Sequence, residues 1–119
     1  MDIESFREYC LSLPDVTEGM PFGPDVEVFK VSGKIFTITP LDTGDFRFNV
    51  KCDPALALEL REQYEGVLPG YHMNKQHWNT IIPDTEIPDR LLKEWVRHSY
   101  DLIVDSLPKK KREALRNGL

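Results

Sequence analysis

The first segment of the chain has the apolar spacing of an amphipathic helix. Over residues 2–13 the apolar positions recur every three or four residues, at Ile3, Phe6, Cys10 and Leu13. Asp2 is suited to cap the N-terminus of this helix. Pro14 ends it, because proline lacks the amide hydrogen that a continuing helix needs.

Turn-forming residues interrupt the pattern over residues 15–25. Pro21 and Gly23 disfavour regular structure, so we expect a loop here. Two large apolar side chains of this loop, Met20 and Phe22, are available to reach into the core.

Three segments then alternate between apolar and polar residues, as half-buried β-strands do: residues 26–31, 34–39 and 46–52. Ser32 and Gly33 separate the first two segments and predict a two-residue hairpin turn. The alternation of the first segment leaves Phe29 as an extra apolar residue on the outer face. The pattern predicts an antiparallel meander with one face on the core.

The third of these segments has the cleanest alternation in the chain. Its apolar residues, which we expect to face the core, are Phe46, Phe48, Val50 and Cys52. Its polar residues, which we expect on the outer face, are Arg47, Asn49 and Lys51.

Two further helices are predicted in the second half of the chain. Asp53 and Pro54 are favoured at a helix N-cap and first turn, and Gly66 is suited to end that helix. Residues 78–82 are compatible with another short strand. A longer helix over residues 88–106 carries an inward stripe of Leu92, Trp95, Val96, Ser99, Leu102 and Ile103.

The predicted order of elements, α-βββ-α-β-α, is that of an α+β domain with helices packed on an antiparallel sheet. A length of 119 residues and a mass of 13.8 kDa suit one domain, which we assign to residues 1–108. Residues 109–119 are expected to form a basic tail, either helical or frayed. On the long helix, the Ser99 hydroxyl is expected to bond to the preceding turn.

Neither a membrane span nor a disulfide framework is indicated. No apolar run approaches the ~20 residues that cross a bilayer, and residues 1–4 lack the start of a signal peptide. The two cysteines, Cys10 and Cys52, fall at apolar positions and are expected to be small core residues. We expect a cytoplasmic, soluble, monomeric domain without membrane contact.

The charge of the chain is unevenly distributed. The net charge is −5, but residues 1–107 carry −9 and residues 108–119 carry +4. An acidic body opposes non-specific binding to nucleic acid, because phosphate neutralisation supplies most of that affinity. A basic patch still binds phosphates if the fold gathers it on one face, and the tail serves either as such a patch or as a solubilising end.

One loop, residues 69–80, is rich in large polar and aromatic side chains. Tyr71 and Trp78 offer flat faces for stacking, and Lys75 offers a cation for a phosphate. The same composition is also explained if these side chains satisfy the loop's own backbone and Trp78 belongs to the core. Three roles therefore remain open for this loop: stabilising its own backbone, contacting a ligand or nucleic acid, and catalysis.

Motifs of common enzyme classes are missing from the sequence. It contains no GxGxxG, GxxxxGK[ST], HExxH or GxSxG pattern. His72 and His77 have no cysteine or carboxylate near enough in sequence to complete a zinc site. His98 is expected to be a solvated or half-buried helix residue. We therefore expect no enzymatic activity, no cofactor and no metal site.

Several short motifs carry a family resemblance. They are residues 11–14 (LSLP), 21–23 (PFG), 29–34 (FKVSGK), 51–54 (KCDP), 69–80 (PGYHMNKQHWNT), 98–102 (HSYDL) and 107–109 (LPK). In this order and spacing they resemble the MmcQ/YjbR family over nearly the whole chain. The resemblance implies a CyaY-like (frataxin-like) α+β fold of the double-wing type and a DNA-binding label that rests on structural analogy.

The resemblance leads to a first hypothesis, a nucleic-acid-binding module. The hairpin at residues 32–33 would act as a wing, while sheet lysines and the tail contact phosphates and the loop contacts bases. The residues assigned to these contacts are Lys30, Lys34, Arg47, Lys51, Tyr71, His72, Asn74, Lys75, His77, Trp78, Lys109, Lys110, Lys111 and Arg112.

Two alternatives stand beside it. In the first, the loop from Tyr71 to Trp78 forms a pocket for a small molecule or a protein, and no nucleic acid is involved. In the second, a frataxin-like cation site uses acids near the first helix: Asp2, Glu4, Glu8, Asp15 and Glu18. These acids are also explained as a solvated face.

Overall fold

The structure, a computed structural model, describes residues 1–71, 73–84 and 86–117. In these ranges the helices are α1 (Ile3–Ser12), α2 (Pro54–Gln63), α3 (Asp89–Asp105) and α4 (Lys109–Arg116). The strands are β1 (Val16–Gly19), β2 (Val26–Val31), β3 (Lys34–Pro40), β4 (Phe48–Lys51), β5 (Val67–Pro69) and β6 (Trp78–Ile81). The α+β class predicted from the sequence is confirmed, with β1 and β5 as additional strands.

All six strands join one antiparallel sheet in the order β1-β2-β3-β4-β6-β5. The predicted meander forms its centre, and the strand suggested at residues 78–82 pairs with β4. Part of the segment predicted as a loop, residues 15–25, is instead the edge strand β1. The two unpredicted strands, β1 and β5, are the two edges of the sheet.

Helices α1, α2 and α3 cover the same face of this sheet. Phe6 of α1 stacks on Phe48 with ring centroids 4.6 Å apart, and its ring meets that of Phe29 edge-on at 5.7 Å. From β6, Asn79 donates through Nδ2 to the α2 carbonyl of Ala57 at 3.4 Å. The result is a two-layer domain whose core lies between the helices and one sheet face.

The position of Phe29 corrects its predicted place on the outer face. Phe29 is fully buried against α1, while Val28 points to the opposite face of the sheet. Four of the six β2 residues are apolar, so the pattern alone does not define which face is buried. Pairing of Phe29 with Thr37 beside a β-bulge decides the orientation.

Two further predictions, both about loop residues, are wrong. Met20 and Phe22 do not enter the core, and the Phe22 side chain is 66% exposed. Helix α2 ends with Tyr64 as its C-cap, so Gly66 does not terminate the helix. Gly66 lies instead where a Cβ atom would approach the carbonyl oxygen of Ile82 to 2.4 Å.

Ser99 connects α3 to two strands rather than to its own preceding turn. Its hydroxyl donates to the carbonyl of Phe36 at 2.6 Å and accepts from the amide of Lys51 at 2.9 Å. Phe36 lies at the bulge in β3, where regular pairing between strands is interrupted. The two hydrogen bonds of the Ser99 hydroxyl therefore link α3 to the strands at a point where the strands do not bond to each other.

The basic segment after Pro108 forms helix α4 against α3. Leu115 is buried, and Arg116 forms an ion pair with Asp105 near the end of α3. Arg112 donates to the main-chain carbonyl of the same aspartate at 3.3 Å. Across the described ranges, no helix is both long and apolar enough to span a membrane.

Candidate functional site

The sheet face opposite the helices carries a continuous row of side chains. Val28 pairs with Ile38, Ile38 with Asn49, and Asn49 with Thr80, so one row crosses β2, β3, β4 and β6. Leu68 of β5 continues it. We call this surface the open face, because helices α1, α2 and α3 lie on the other side.

A pocket of about 460 Å³ opens on this face. Its floor is apolar and is formed by Val26, Ile38 and Pro40. Two connecting segments form its walls: residues 42–47 between β3 and β4, and the residues Tyr71 and Met73 between β5 and β6. The lining residues contributed by these segments and the sheet are Asp42, Thr43, Arg47, Asn49, Tyr71, Met73 and Thr80.

A hydrogen-bonded network of buried polar groups joins the floor to the loop. Thr80 donates from Oγ1 to Oδ1 of Asn49 at 2.5 Å, and the Tyr71 amide donates to the same Thr80 oxygen at 3.1 Å. Asn49 in turn donates through Nδ2 to the carbonyl of Ile38 at 3.3 Å. The wall that contains Tyr71 is thereby fixed to the centre of the sheet.

An intramolecular ion pair occupies the opposite wall. Arg47 donates from Nε and Nη2 to the two carboxylate oxygens of Asp45, each at 2.8 Å. This bidentate contact lowers the pKa of Asp45 and raises that of Arg47. Thr43 also donates to the main-chain carbonyl of Asp45, at 2.8 Å. Most of the Arg47 charge is therefore compensated within the wall.

Arg61 of α2 organises the loop before β6, a role that the sequence analysis did not identify. Its Nε donates to Oδ1 of Asn79 at 2.7 Å, and its Nη2 donates to the carbonyls of Trp78 and Lys75, the former at 3.2 Å. A guanidinium directed at three acceptors fixes the end of the loop to α2. Its helical position among polar residues gave no signal of this function.

Some loop residues that were predicted to bind a ligand instead form hydrogen bonds within the loop or to its neighbours, whereas Tyr71 lines the pocket. Asn74 serves the loop itself: its carbonyl accepts from the amides of His77 and Trp78, and its side chain accepts from the Gln76 amide at 2.9 Å. The His77 carbonyl accepts from Cys52 at 2.7 Å. Tyr71 lines the pocket and is 70% exposed, whereas His72 lies outside the described residues.

The predicted cationic contacts are separated by the fold. Lys30 and Lys51 lie on the open face, and Lys51 is directly opposite Trp78. Lys34 lies on the helix side, with Nζ 3.5 Å from Oγ of Ser106. The remaining predicted contacts Lys109, Lys110, Lys111 and Arg112 belong to α4 on that side, while Lys75 is exposed in the loop. The sheet and tail residues therefore do not form one patch.

The cysteines and acids show no reactive centre. Both cysteines are buried as expected, and burial raises the pKa of Cys10 to about 12 and that of Cys52 to about 11. Among residues 1–71, 73–84 and 86–117, no three His, Cys, Asp or Glu side chains are grouped to hold a metal ion. Near α1, Glu18 is used in an ion pair with Arg7.

Sequence matches to known proteins define the family of this chain. The YjbR family model matches residues 11–102, so the chain belongs to the YjbR family, and the resemblance seen in the sequence is confirmed. The chain is 39% identical over 115 residues to the uncharacterized protein YbdF of Escherichia coli O157:H7, covering 97% of this chain and 94% of YbdF. It is 30% identical to the uncharacterized protein YjbR of Escherichia coli K12, covering 97% and 98% of the two chains.

Two solved structures share the fold. The Deinococcus radiodurans protein DR2400, described as a DUF419 domain, superposes with a TM-score of 0.88 at 34% identity. That match covers 96% of this chain and 87% of DR2400. A protein from Pseudomonas syringae gives a TM-score of 0.75 at 26% identity and covers 86% of this chain and 98% of its own.

Proposed function

We propose that this protein binds a small organic molecule in the pocket on the open face of its sheet. The observation that carries the proposal is the concave space of about 460 Å³ above the apolar floor of Val26, Ile38 and Pro40. Pockets for small ligands typically occupy ~300–1,000 Å³ and combine an apolar lining with a few polar groups. Asn49, Thr80 and Arg47 supply those polar groups here.

Rigidity of the surrounding walls supports the same proposal. The Thr80–Asn49 hydrogen bond holds the floor, and the Arg47–Asp45 ion pair holds one wall. Arg61 fixes the end of the loop that contributes Tyr71. A preformed site loses less conformational entropy when a ligand binds than a site that must first become ordered.

A pocket-filling variant tests the proposal. We would screen a library of low-mass amphipathic compounds by amide chemical-shift mapping against the wild type, Ile38→Trp and Ile35→Trp. Both isoleucines lie on β3 and face the open side, but only Ile38 lines the pocket. Hits are expected to shift the amides of Asn49 and Thr80, to be lost in Ile38→Trp and to be retained in Ile35→Trp. Hits that survive Ile38→Trp would contradict the proposal.

Nucleic-acid binding is a second candidate, and it rests on the pairing of Lys51 with Trp78. The two side chains lie directly opposite each other on the open face, so a cation adjoins an aromatic ring. Proteins that bind single strands combine such cations with rings on which bases stack. Lys30 lies on the same face and would extend the contact with the phosphate backbone.

Fluorescence anisotropy with a labelled single strand and a labelled duplex tests this candidate across a salt series. Binding is expected to weaken with salt and to be reduced in Lys51→Gln and Trp78→Ala, but not in Lys93→Gln on α3. Contacts from α4 would be tested by replacing Lys109, Lys110 and Lys111 with glutamine, because removing the helix would uncover the site of Leu115. Affinity that does not depend on salt would count against nucleic acid.

A further inference from the structure

The charged groups around the open-face pocket are unequally compensated. Arg47 is held by both oxygens of Asp45, so its positive charge is already matched. Asp42 lines the same pocket and is exposed, and among the described residues its carboxylate has no ion pair or side-chain hydrogen bond. The uncompensated charge at the pocket is therefore negative.

Hydrogen-bond acceptors around the pocket also remain available to a ligand. The Thr43 hydroxyl donates to the Asp45 carbonyl, and the Thr80 hydroxyl donates to Asn49. Arg47 directs Nε and Nη2 to Asp45. A hydroxyl oxygen and an amide oxygen each retain acceptor capacity after one such bond, and an ionised carboxylate only accepts. Thr43, Asn49 and the Asp42 carboxylate therefore keep acceptor capacity for a ligand, while the N–H groups that Arg47 retains belong to a guanidinium whose charge Asp45 already matches.

We propose that the pocket takes an organic ammonium ion, with its apolar body on Ile38 and Pro40 and its charged nitrogen beside Asp42. This inference deepens the proposed ligand-binding function and rests on it. An ammonium group supplies donors where the pocket offers acceptors, and its charge complements the uncompensated carboxylate. The net charge of −5 of the whole chain also favours the approach of a cation.

Three probes that share one ring system separate charge from shape: 2-naphthylmethylammonium, 2-naphthalenemethanol and 2-naphthoate. Each would be titrated into the full chain at pH 7 and low salt, with dissociation constants taken from amide shifts of the pocket residues. The ammonium is expected to bind about threefold to fivefold more tightly than the alcohol, the range of an exposed ion pair, with the carboxylate weakest. Added salt should reduce the preference.

Substitutions at Asp42 test whether its carboxylate causes the preference for the ammonium over the alcohol. Asp42→Asn is expected to bring the ammonium and the alcohol to equal affinity, and Asp42→Lys to make the carboxylate the preferred probe. Glu59→Gln on α2 removes the same charge from the helix side and should leave the order unchanged. Asp42 is exposed in a turn, so these variants are expected to fold, which circular dichroism would verify.

The possible failures are distinguishable. Equal affinity for alcohol and ammonium in the wild type, or tighter binding of the carboxylate, would overturn the ammonium inference and leave the ligand pocket in place. A preference that persists in Asp42→Asn would overturn the assignment to Asp42. If no probe shifts the pocket amides, the ammonium inference fails, and the library screen with Ile38→Trp decides the proposed function independently.

Discussion

Arg61 donates from Nε to Oδ1 of Asn79 at 2.7 Å and thereby joins α2 to β6. Asn79 is 1% exposed, and its Nδ2 bonds to the Ala57 carbonyl on the same helix. The Arg61 guanidinium also reaches the carbonyl of Trp78, where the loop becomes a strand. The position of the loop beside the pocket thus depends on a helix of the opposite layer.

Replacing Arg61 should loosen this connection. Arg61→Ala is expected to lower the free energy of unfolding by about 2 kcal/mol, because a buried amide oxygen loses a charged donor. Urea denaturation measures the loss. Arg90→Ala is the matched control, since its exposed pair with Glu94 contributes at most ~0.5 kcal/mol. Equal losses in the two variants would contradict a specific role for Arg61.

Removing the Ser99 hydroxyl should uncouple α3 from the sheet. Ser99→Ala leaves the carbonyl of Phe36 and the amide of Lys51 without their side-chain partner. We expect a loss of about 1–3 kcal/mol in unfolding free energy. Ser12→Ala, whose exposed hydroxyl bonds within α1, should change stability by less than ~0.5 kcal/mol. An unchanged free energy of unfolding in Ser99→Ala would show that water replaces the hydroxyl at no cost.

Gly66 is predicted to resist substitution for reasons of space. An added methyl group would lie 2.4 Å from the Ile82 carbonyl oxygen, a main-chain atom of the residue whose amide donates to the Gly66 carbonyl at 2.7 Å. Gly66→Ala should therefore cost about 1–3 kcal/mol by thermal or urea unfolding. Gly19→Ala is the control, because nothing lies within 4 Å of the position of its Cβ. Similar stabilities would refute the steric explanation.

The buried cysteines predict a loss of stability in alkali. Burial raises the pKa of Cys10 to about 12 and that of Cys52 to about 11, so both stay protonated in the folded state when unfolded thiols ionise. The protonated thiols contribute fully to the free energy of unfolding below ~8.5, the pKa of an unfolded thiol. This contribution is lost as pH rises through the pKa values of the folded state, by ~1.4 kcal/mol per pH unit for each thiol.

Two measurements check this expectation. Unfolding free energies between pH 8 and 11 should fall less steeply in a variant with alanine at both cysteines than in the wild type. Ellman's reagent at pH 8 should react slowly with the native protein and rapidly in urea. Rapid reaction of the native protein would mean that the thiols are accessible.

Helix α4 is predicted to stabilise the fold through Leu115. Leu115→Ala should cost about 2 kcal/mol in unfolding free energy, because a buried leucine side chain of α4 loses its packing against α3. Lys110→Ala, an exposed change on the same helix, should stay within ~0.5 kcal/mol of the wild type. If residues 109–119 were an independent tail, Leu115→Ala would leave the melting temperature unchanged.

Local pattern was sufficient for the elements that have a regular apolar face. The stripe from Leu92 to Ile103 identified α3, and the alternation from Phe46 to Cys52 identified the orientation of β4. The edge strands were missed because β1 has one large apolar residue, Val16, and β5 has three residues in all. Their strand conformation comes from pairing with β2 and β6 rather than from their own composition.

The sequence by itself determined the α+β class, the central elements and the YjbR family, because these depend on local periodicity and on motif composition. Only the tertiary structure decided that Phe29 faces α1, that Lys30 and Lys34 lie on opposite sides, and that Arg61 holds the loop. The pocket was likewise decided by strand pairing, which brings Ile38 beside Asn49 and Asn49 beside Thr80. Such contacts between distant residues depend on sheet register, which local periodicity does not specify.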